Sequence, residues 1–155
     1  MSTGVLPFIR ASTSPEMTFL QGDRFPNESS TGTGARLSVQ LKNLEHLQMS
    51  RNKLQNVHGE LSDLPLLRSV IVRQNEIKTS GIPTDIFRMK DLTIIDFSNN
   101  SLRDVPSNLE YAKCAIVLNL SHNKIENVPN QVFSNLIDLI YLDISDNKLE
   151  VIPPS

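Results

Sequence analysis

One pattern, L-x-x-L-x-L-x-x-N-x-L, occurs five times in this 155-residue chain and limits the fold more than any other feature. The segments are Leu44–Leu54 (LEHLQMSRNKL), Leu67–Ile77 (LRSVIVRQNEI), Leu92–Leu102 (LTIIDFSNNSL), Ala115–Ile125 (AIVLNLSHNKI) and Leu139–Leu149 (LIYLDISDNKL). Ala, Val, Ile, Met or Phe stands in for Leu at some positions. The residue identical in all five is the asparagine: Asn52, Asn75, Asn100, Asn123 and Asn147, spaced by 23, 25, 23 and 24 residues. One such segment could arise by chance, but five in register define a repeating structural unit.

The pattern has a direct physical reading. Alternating apolar residues around L-x-L form a short strand with every second side chain turned inward. The chain must then bend, and a buried bend leaves backbone N–H and C=O groups needing partners. An asparagine amide both donates and accepts, so it can pair with its own and neighbouring coils. Five stacked asparagines therefore read as a structural ladder. The return segments repeat as well: Ile82-Pro83 leads to Ile86-Phe87 and Met89, Val105-Pro106 to Leu109, and Val128-Pro129 to Val132-Phe133 and Leu136. The last repeat closes on Val151-Ile152-Pro153. Proline stops strand pairing there and starts a short turn of helix or 3₁₀ helix. The predicted fold is an α/β leucine-rich-repeat solenoid. Short parallel strands line its concave face, and turns, 3₁₀ segments and short helices form its convex face. A lone coil cannot offset its ordering entropy, so about three or more must stack.

Residues 41–155 form the repeat domain, with about five repeats. Residues 1–40 differ in kind: Ser12–Pro15 and Asn27–Gly34 have linker composition, and the segment reads as mostly disordered. The apolar clusters Val5–Ile9 and Met17–Leu20 interrupt it, and Leu37–Leu41 adds at most a poor strand or cap. The absence of tryptophan and the 5% aromatic content suit a core of many small aliphatic layers. A net charge of −2 gives no reason to expect nucleic acid or an anionic membrane as partner. With Cys114 as the single cysteine, no internal disulfide can form. That count, and a start without the pattern of a secretory signal, lead us to expect a cytoplasmic protein. No apolar run is long enough to cross a membrane as a helix.

Stacking aligns the outward strand positions into columns. The third motif position reads His46, Ser69, Ile94, Val117, Tyr141, and the fifth reads Gln48, Ile71, Asp96, Asn119, Asp143. The seventh reads Ser50, Arg73, Ser98, Ser121, Ser145, and the eighth Arg51, Gln74, Asn99, His122, Asp146. Ile71, Ile94, Val117 and Tyr141 run obliquely across this face, as a contact surface would. Charge also changes sign along the axis, from His46, Arg51 and Arg73 to Asp96, Asp143 and Asp146, which would orient a partner. The expected contact residues are Ile71, Arg73, Ile94, Asp96, Val117, Asn119, Tyr141 and Asp143. The plainer alternative is that β-branched and aromatic residues simply suit strands, and that the charges form a solvated face.

Nothing in the sequence points to catalysis, a cofactor or a metal. His46, His58 and His122 are far apart in the repeat frame, and no Cys or His pair has metal-ligand spacing. Asp143 and Asp146, the nearest acidic pair on one coil, read as solvated surface. Cys114 has no base beside it in that frame and reads as a half-buried structural thiol. Thr31–Gly34 (TGTG) lacks the strand and helix of a phosphate loop. The sequons at Asn27, Asn99 and Asn119 carry no weight without a secretory signal.

The connecting segments give a more specific likeness. Asn43–Pro65 (NLEHLQMSRNKLQNVHGELSDLP), Gly81–Phe87 (GIPTDIF) and Val117–Pro154 (VLNLSHNKIENVPNQVFSNLIDLIYLDISDNKLEVIPP) resemble the amino-terminal leucine-rich-repeat region of the flightless family of actin regulators, as do Val5–Arg10 (VLPFIR) and Gly22–Pro26 (GDRFP). The resemblance implies a protein-interaction module in actin-linked signalling, with coiled-coil or small-GTPase signalling proteins as partners. It also places the actin contact in gelsolin-like domains that follow the repeats in that family and are absent from this chain. The family has a repeat strand where this chain has Ala11–Gln21, and a full repeat where it has Asn27–Gln40. Two other readings stay open: a regulatory fragment that caps or competes with full-length repeats, and a repeat fragment of another signalling scaffold or receptor.

Overall fold

The computed structural model describes residues 43–57, 61 and 64–150, together with the backbone of 9–13 and 16–20. The expected cap at Leu37–Leu41, His58 and the closing Val151–Pro153 lie outside the described residues.

Seven strands form one sheet: β1 (Ile9–Thr13), β2 (Glu16–Leu20), β3 (His46–Gln48), β4 (Ser69–Ile71), β5 (Ile94–Asp96), β6 (Val117–Asn119) and β7 (Tyr141–Asp143), in the order β2-β1-β3-β4-β5-β6-β7. From β3 to β7 all pairing is parallel and in motif register. His46, Ser69, Ile94, Val117 and Tyr141 stand side by side, as do Gln48, Ile71, Asp96, Asn119 and Asp143. Each strand from β3 to β7 has three residues, because the chain turns at once into the bends on either side of the L-x-L centre.

At the first edge the sequence reading assigns no regular element, yet β1 and β2 form an antiparallel hairpin there. β1 pairs antiparallel with β3, placing Arg10 opposite Gln48 and Ser12 opposite His46. An edge strand presents a row of unpaired backbone groups, and a hairpin satisfies that row where no sixth repeat precedes it in the described sheet. Tertiary context, rather than local composition, sets this element.

The core is stacked in columns. Leu47, Val70, Ile95 and Leu118 are buried, as are Met49, Val72, Phe97 and Leu120. In the fifth coil the same columns open outward: Leu142 is 40% exposed and Ile144 is half-buried. On the other side of each coil, 3₁₀ turns span Thr79–Gly81, Thr84–Arg88 and Ser107–Tyr111, and the last two directly follow Pro83 and Pro106. They bury Ile86, Phe87 and Leu109. Among the described residues this side carries no α-helix, so the expected mixture of short helices reduces to 3₁₀ turns. Thr79 fastens two coils: its Oγ1 donates to the Asp104 carbonyl and accepts from the N–H groups of Arg103 and Asp104, all at 3.2 Å.

The asparagines form a continuous ladder. Asn123 shows the scheme: its Nδ2 donates to the Leu120 carbonyl of its own coil and the Phe97 carbonyl of the coil before, both at 3.0 Å. Its Oδ1 accepts from the Leu102 N–H at 3.0 Å. Asn75, Asn100 and Asn147 repeat these bonds in the second, third and fifth coils. Asn52, in the first coil, donates to the carbonyls of Met49 and Ser50. Each amide thereby closes its own bend and sets the spacing to its neighbour.

Candidate functional site

The sheet face opposite the core is built from the columns of motif positions three, five, seven and eight. A hollow of about 630 Å³ spans the first four coils along this face, which makes it the concave one. Position three contributes an apolar row: Ile94 and Val117 are half-buried and Tyr141 is exposed. Ile71, half-buried, belongs to the adjacent column beside Asp96, so the apolar residues form a stepped row. In the last two coils the residues just before this row, Ile116 and Ile140 at motif position two, are 37% and 85% exposed. Sequence reasoning missed these two because position two lies just outside the strand alternation.

The polar candidates are not simply solvated. Asp96, Asn119 and Asp143 each accept, through Oδ1, the backbone N–H and the hydroxyl of the serine two residues on. The hydroxyl bonds are short: 2.7 Å from Ser98 and Ser121, and 2.6 Å from Ser145. These residues form a second ladder beside the asparagines. The signal lay in the sequence as D/N-x-S three coils running, the signature of side chains that bond backbone two residues on. The second oxygen of each aspartate has a neighbour of its own, although Asp96 itself is buried. Oδ2 of Asp96 lies 3.9 Å from Arg73 Nε, and Oδ2 of Asp143 accepts from the Tyr141 hydroxyl at 3.3 Å. The Ser145 hydroxyl and backbone N–H hold the Asp143 carboxyl below the usual aspartate range. The charge of Asp143 in turn pushes the Tyr141 phenol up.

Position eight has an unusual backbone. Arg51, Gln74, Asn99, His122 and Asp146 all take left-handed φ values between 52 and 60°. Glycine meets that geometry without strain, whereas a side chain there costs on the order of 1–2 kcal/mol. The fold keeps side chains in this column, and they pair along it: Arg51 Nε donates to Gln74 Oε1 at 2.9 Å, and His122 Nε2 lies 3.4 Å from Asp146 Oδ2. Four of the five line the hollow. Strained positions that carry polar side chains into a concavity are where a contact surface is expected.

On the convex side the Arg88 guanidinium sits 4.1 Å above the Tyr111 ring, and Cys114 is half-buried. Among the described residues, no three His, Cys, Asp or Glu side chains converge as metal ligands, and no helix is long and apolar enough to cross a membrane.

Stacked coils, a parallel sheet in motif register and the asparagine ladder define a leucine-rich-repeat protein. The sequence profile described as "Leucine rich repeat" matches residues 117–155. A solved leucine-rich-repeat protein of Leptospira interrogans superposes with a TM-score of 0.69 at 23% identity, over 77% of this chain and 29% of that one. The leucine-rich-repeat ectodomain of an Arabidopsis thaliana membrane receptor kinase, solved in complex with CASPARIAN STRIP INTEGRITY FACTOR 2, superposes with a TM-score of 0.61 at 26% identity, over 70% of this chain and 13% of that one. "Protein flightless-1 homolog" of Caenorhabditis elegans is 57% identical over 168 aligned residues, covering 99% of this chain and 13% of the relative. The chain belongs to the flightless family and spans about an eighth of that relative's length.

Proposed function

We propose that this chain is a non-enzymatic protein-interaction module that holds a protein partner on its concave sheet, in the manner of a flightless-like regulator of the actin cytoskeleton and signalling in the cytoplasm. The observation that carries the reading is the outward row of Ile94, Val117 and Tyr141 on three adjacent strands. An apolar row on an otherwise polar, hollow face gives a partner an apolar anchor inside a polar rim. The Arabidopsis receptor kinase supports it, because its repeats form part of a complex with a second protein. Coiled-coil or small-GTPase signalling proteins are the partner class the family implies. Contact with actin itself is assigned to domains other than these repeats.

Affinity capture from cytosol, with the chain as bait beside its Val117→Asp/Tyr141→Ala variant, tests this reading. The wild-type bait should retain a partner that the variant loses, with the two circular dichroism spectra superimposable. Undiminished capture by the variant refutes the concave site.

A second reading draws on the fifth coil, where Leu142 and Ile140 are exposed at 40% and 85% and Ile137 at 83%. Apolar surface of this kind supports association of one repeat stack with another, as a competing or capping fragment would need. Light scattering during size-exclusion chromatography separates the two. A monomer that still captures a partner favours the module, and concentration-dependent self-association abolished by Ile140→Asp favours the fragment.

A further inference from the structure

We propose that the hollow across the first four coils is a carboxylate subsite, which takes an aspartate or glutamate side chain from an acidic segment of the protein partner; this rests on the reading of the concave face as the partner surface. The starting point is a break in the second ladder. In coils three to five, position five is Asp96, Asn119 or Asp143, and it accepts from the serine at position seven. In coils one and two those positions hold Gln48 with Ser50, and Ile71 with Arg73, and the pair is not made. The Ser50 hydroxyl is left buried without a hydrogen-bond partner. A buried hydroxyl without a partner is costly, and this one retains its donor and acceptor beside the hollow.

The same two coils supply the positive charge. Arg73 replaces the serine, and its side chain is 49% exposed. Among the described residues it forms one long ion pair, with Asp96 Oδ2 at 3.9 Å, which lies beyond hydrogen-bond reach and leaves its N–H donors available. Arg51 donates through Nε to the neutral Gln74 Oε1, and among the described residues no carboxylate pairs with it. Arg51, Arg73 and Ser50 all line the hollow, and among the described residues no carboxylate does. Guanidinium groups present planar, forked donors that match a carboxylate, and a concave wall focuses their field. Farther along the same face the sign reverses, with Asp143 and Asp146 on the fifth coil. A polyanion lying along the face would be repelled there. A peptide segment that is acidic over coils one and two and basic beyond them matches the whole surface, and that fixes its direction along the sheet.

The test uses the full chain and fluorescence anisotropy. The probes are a labelled peptide with adjacent glutamates followed by lysines, the same peptide with glutamine for glutamate, and inorganic polyphosphate as competitor. The glutamate peptide should bind, and binding should weaken as salt rises. Glutamine replacement, Arg51→Gln and Arg73→Gln should each weaken it about tenfold, the scale of one lost charge-assisted contact. Melting temperatures of the variants should match wild type. Absence of binding, equal binding of the glutamine peptide, unchanged affinity in both arginine variants, or displacement by polyphosphate at lower concentration than by unlabelled peptide overturns the subsite. Capture from cytosol separates this failure from that of the parent reading. If the arginine variants retain the partner and Val117→Asp/Tyr141→Ala loses it, only the subsite falls. If all retain it, both fall.

Discussion

Tyr141 donates its phenolic hydrogen to Oδ2 of Asp143 at 3.3 Å, while Oδ1 of that carboxylate accepts from the Ser145 hydroxyl at 2.6 Å and its backbone N–H at 3.0 Å. One carboxylate thus ties the exposed aromatic of the concave face to the bend that closes the fifth coil. The two groups titrate in opposite directions: Ser145 lowers the Asp143 carboxyl, and the Asp143 charge raises the Tyr141 phenol.

These shifts predict pH behaviour. Ser145→Ala should return the Asp143 carboxyl upward toward the ordinary aspartate value, read by NMR titration. Asp143→Asn should bring the Tyr141 phenol down toward the ordinary tyrosine value, read by ultraviolet titration of the chain's two tyrosines. A carboxyl held below its unfolded value adds stability that is fully present above that value. The contribution is lost as pH falls through the folded value. The penalty of Ser145→Ala should therefore be largest near neutral pH and fade in acid.

The asparagine ladder predicts a graded loss of stability. Asn123 is buried; Asn123→Ala leaves the Leu102 N–H without its partner and takes one of two amide donors from each of the Phe97 and Leu120 carbonyls, which keep Asn100 and Asn147, and should cost roughly 2–4 kcal/mol. Asn147, half-buried at the outer coil, can be replaced in part by water, and Asn147→Ala should cost less than half as much. Urea unfolding followed by circular dichroism makes the comparison. Equal losses would contradict the ladder.

The inward columns predict the same gradient in packing. Phe97 is fully buried at the centre of the stack, and Phe97→Ala should cost about 3–5 kcal/mol. Leu142→Ala, in the neighbouring inward column of the open coil, should cost well under half of that, because Leu142 is already 40% exposed.

Gly81 closes the convex turn against the first coil. A Cβ there would run into the Gln55 carbonyl oxygen and come within 2.8 Å of Asn56 Oδ1. The Val57 N–H donates to the Gly81 carbonyl at 2.7 Å, so neither strand of this contact can withdraw freely. Gly81→Ala should destabilise the chain by about 1–3 kcal/mol, the usual scale of overpacking, in the same urea experiment.

The repeats were legible because two independent constraints coincide in each: the inward alternation of a strand and an amide that must close a bend. Register followed from the motif alone, since a one-residue slip would turn every Leu outward. The β1–β2 hairpin was not legible. Nothing in Ile9–Thr13 or Glu16–Leu20 repeats, and only the open edge of β3 gives those residues a reason to pair. Strand alternation alone turns the Asp96, Asn119 and Asp143 side chains outward, whereas Oδ1 of each is bonded to a serine two residues on. That competition is local and was written in the sequence as D/N-x-S. The exposed Ile116 and Ile140 escaped because alternation says nothing about the residue just before a strand. The hollow required the coils to be stacked before Arg51, Arg73 and Ser50 could be seen to share it.

The chain's two tyrosines offer the most direct test of the concave surface. Tyr141 stands on that face, and Tyr111 lies on the convex side beneath Arg88, with exposures of 49% and 39% in the free chain. Hydroxyl-radical footprinting of the chain alone and with its captured partner compares them within one molecule. The account predicts that Tyr141 becomes protected while Tyr111 is modified as before. Protection of Tyr111 with Tyr141 unchanged would place the partner on the opposite side and contradict it.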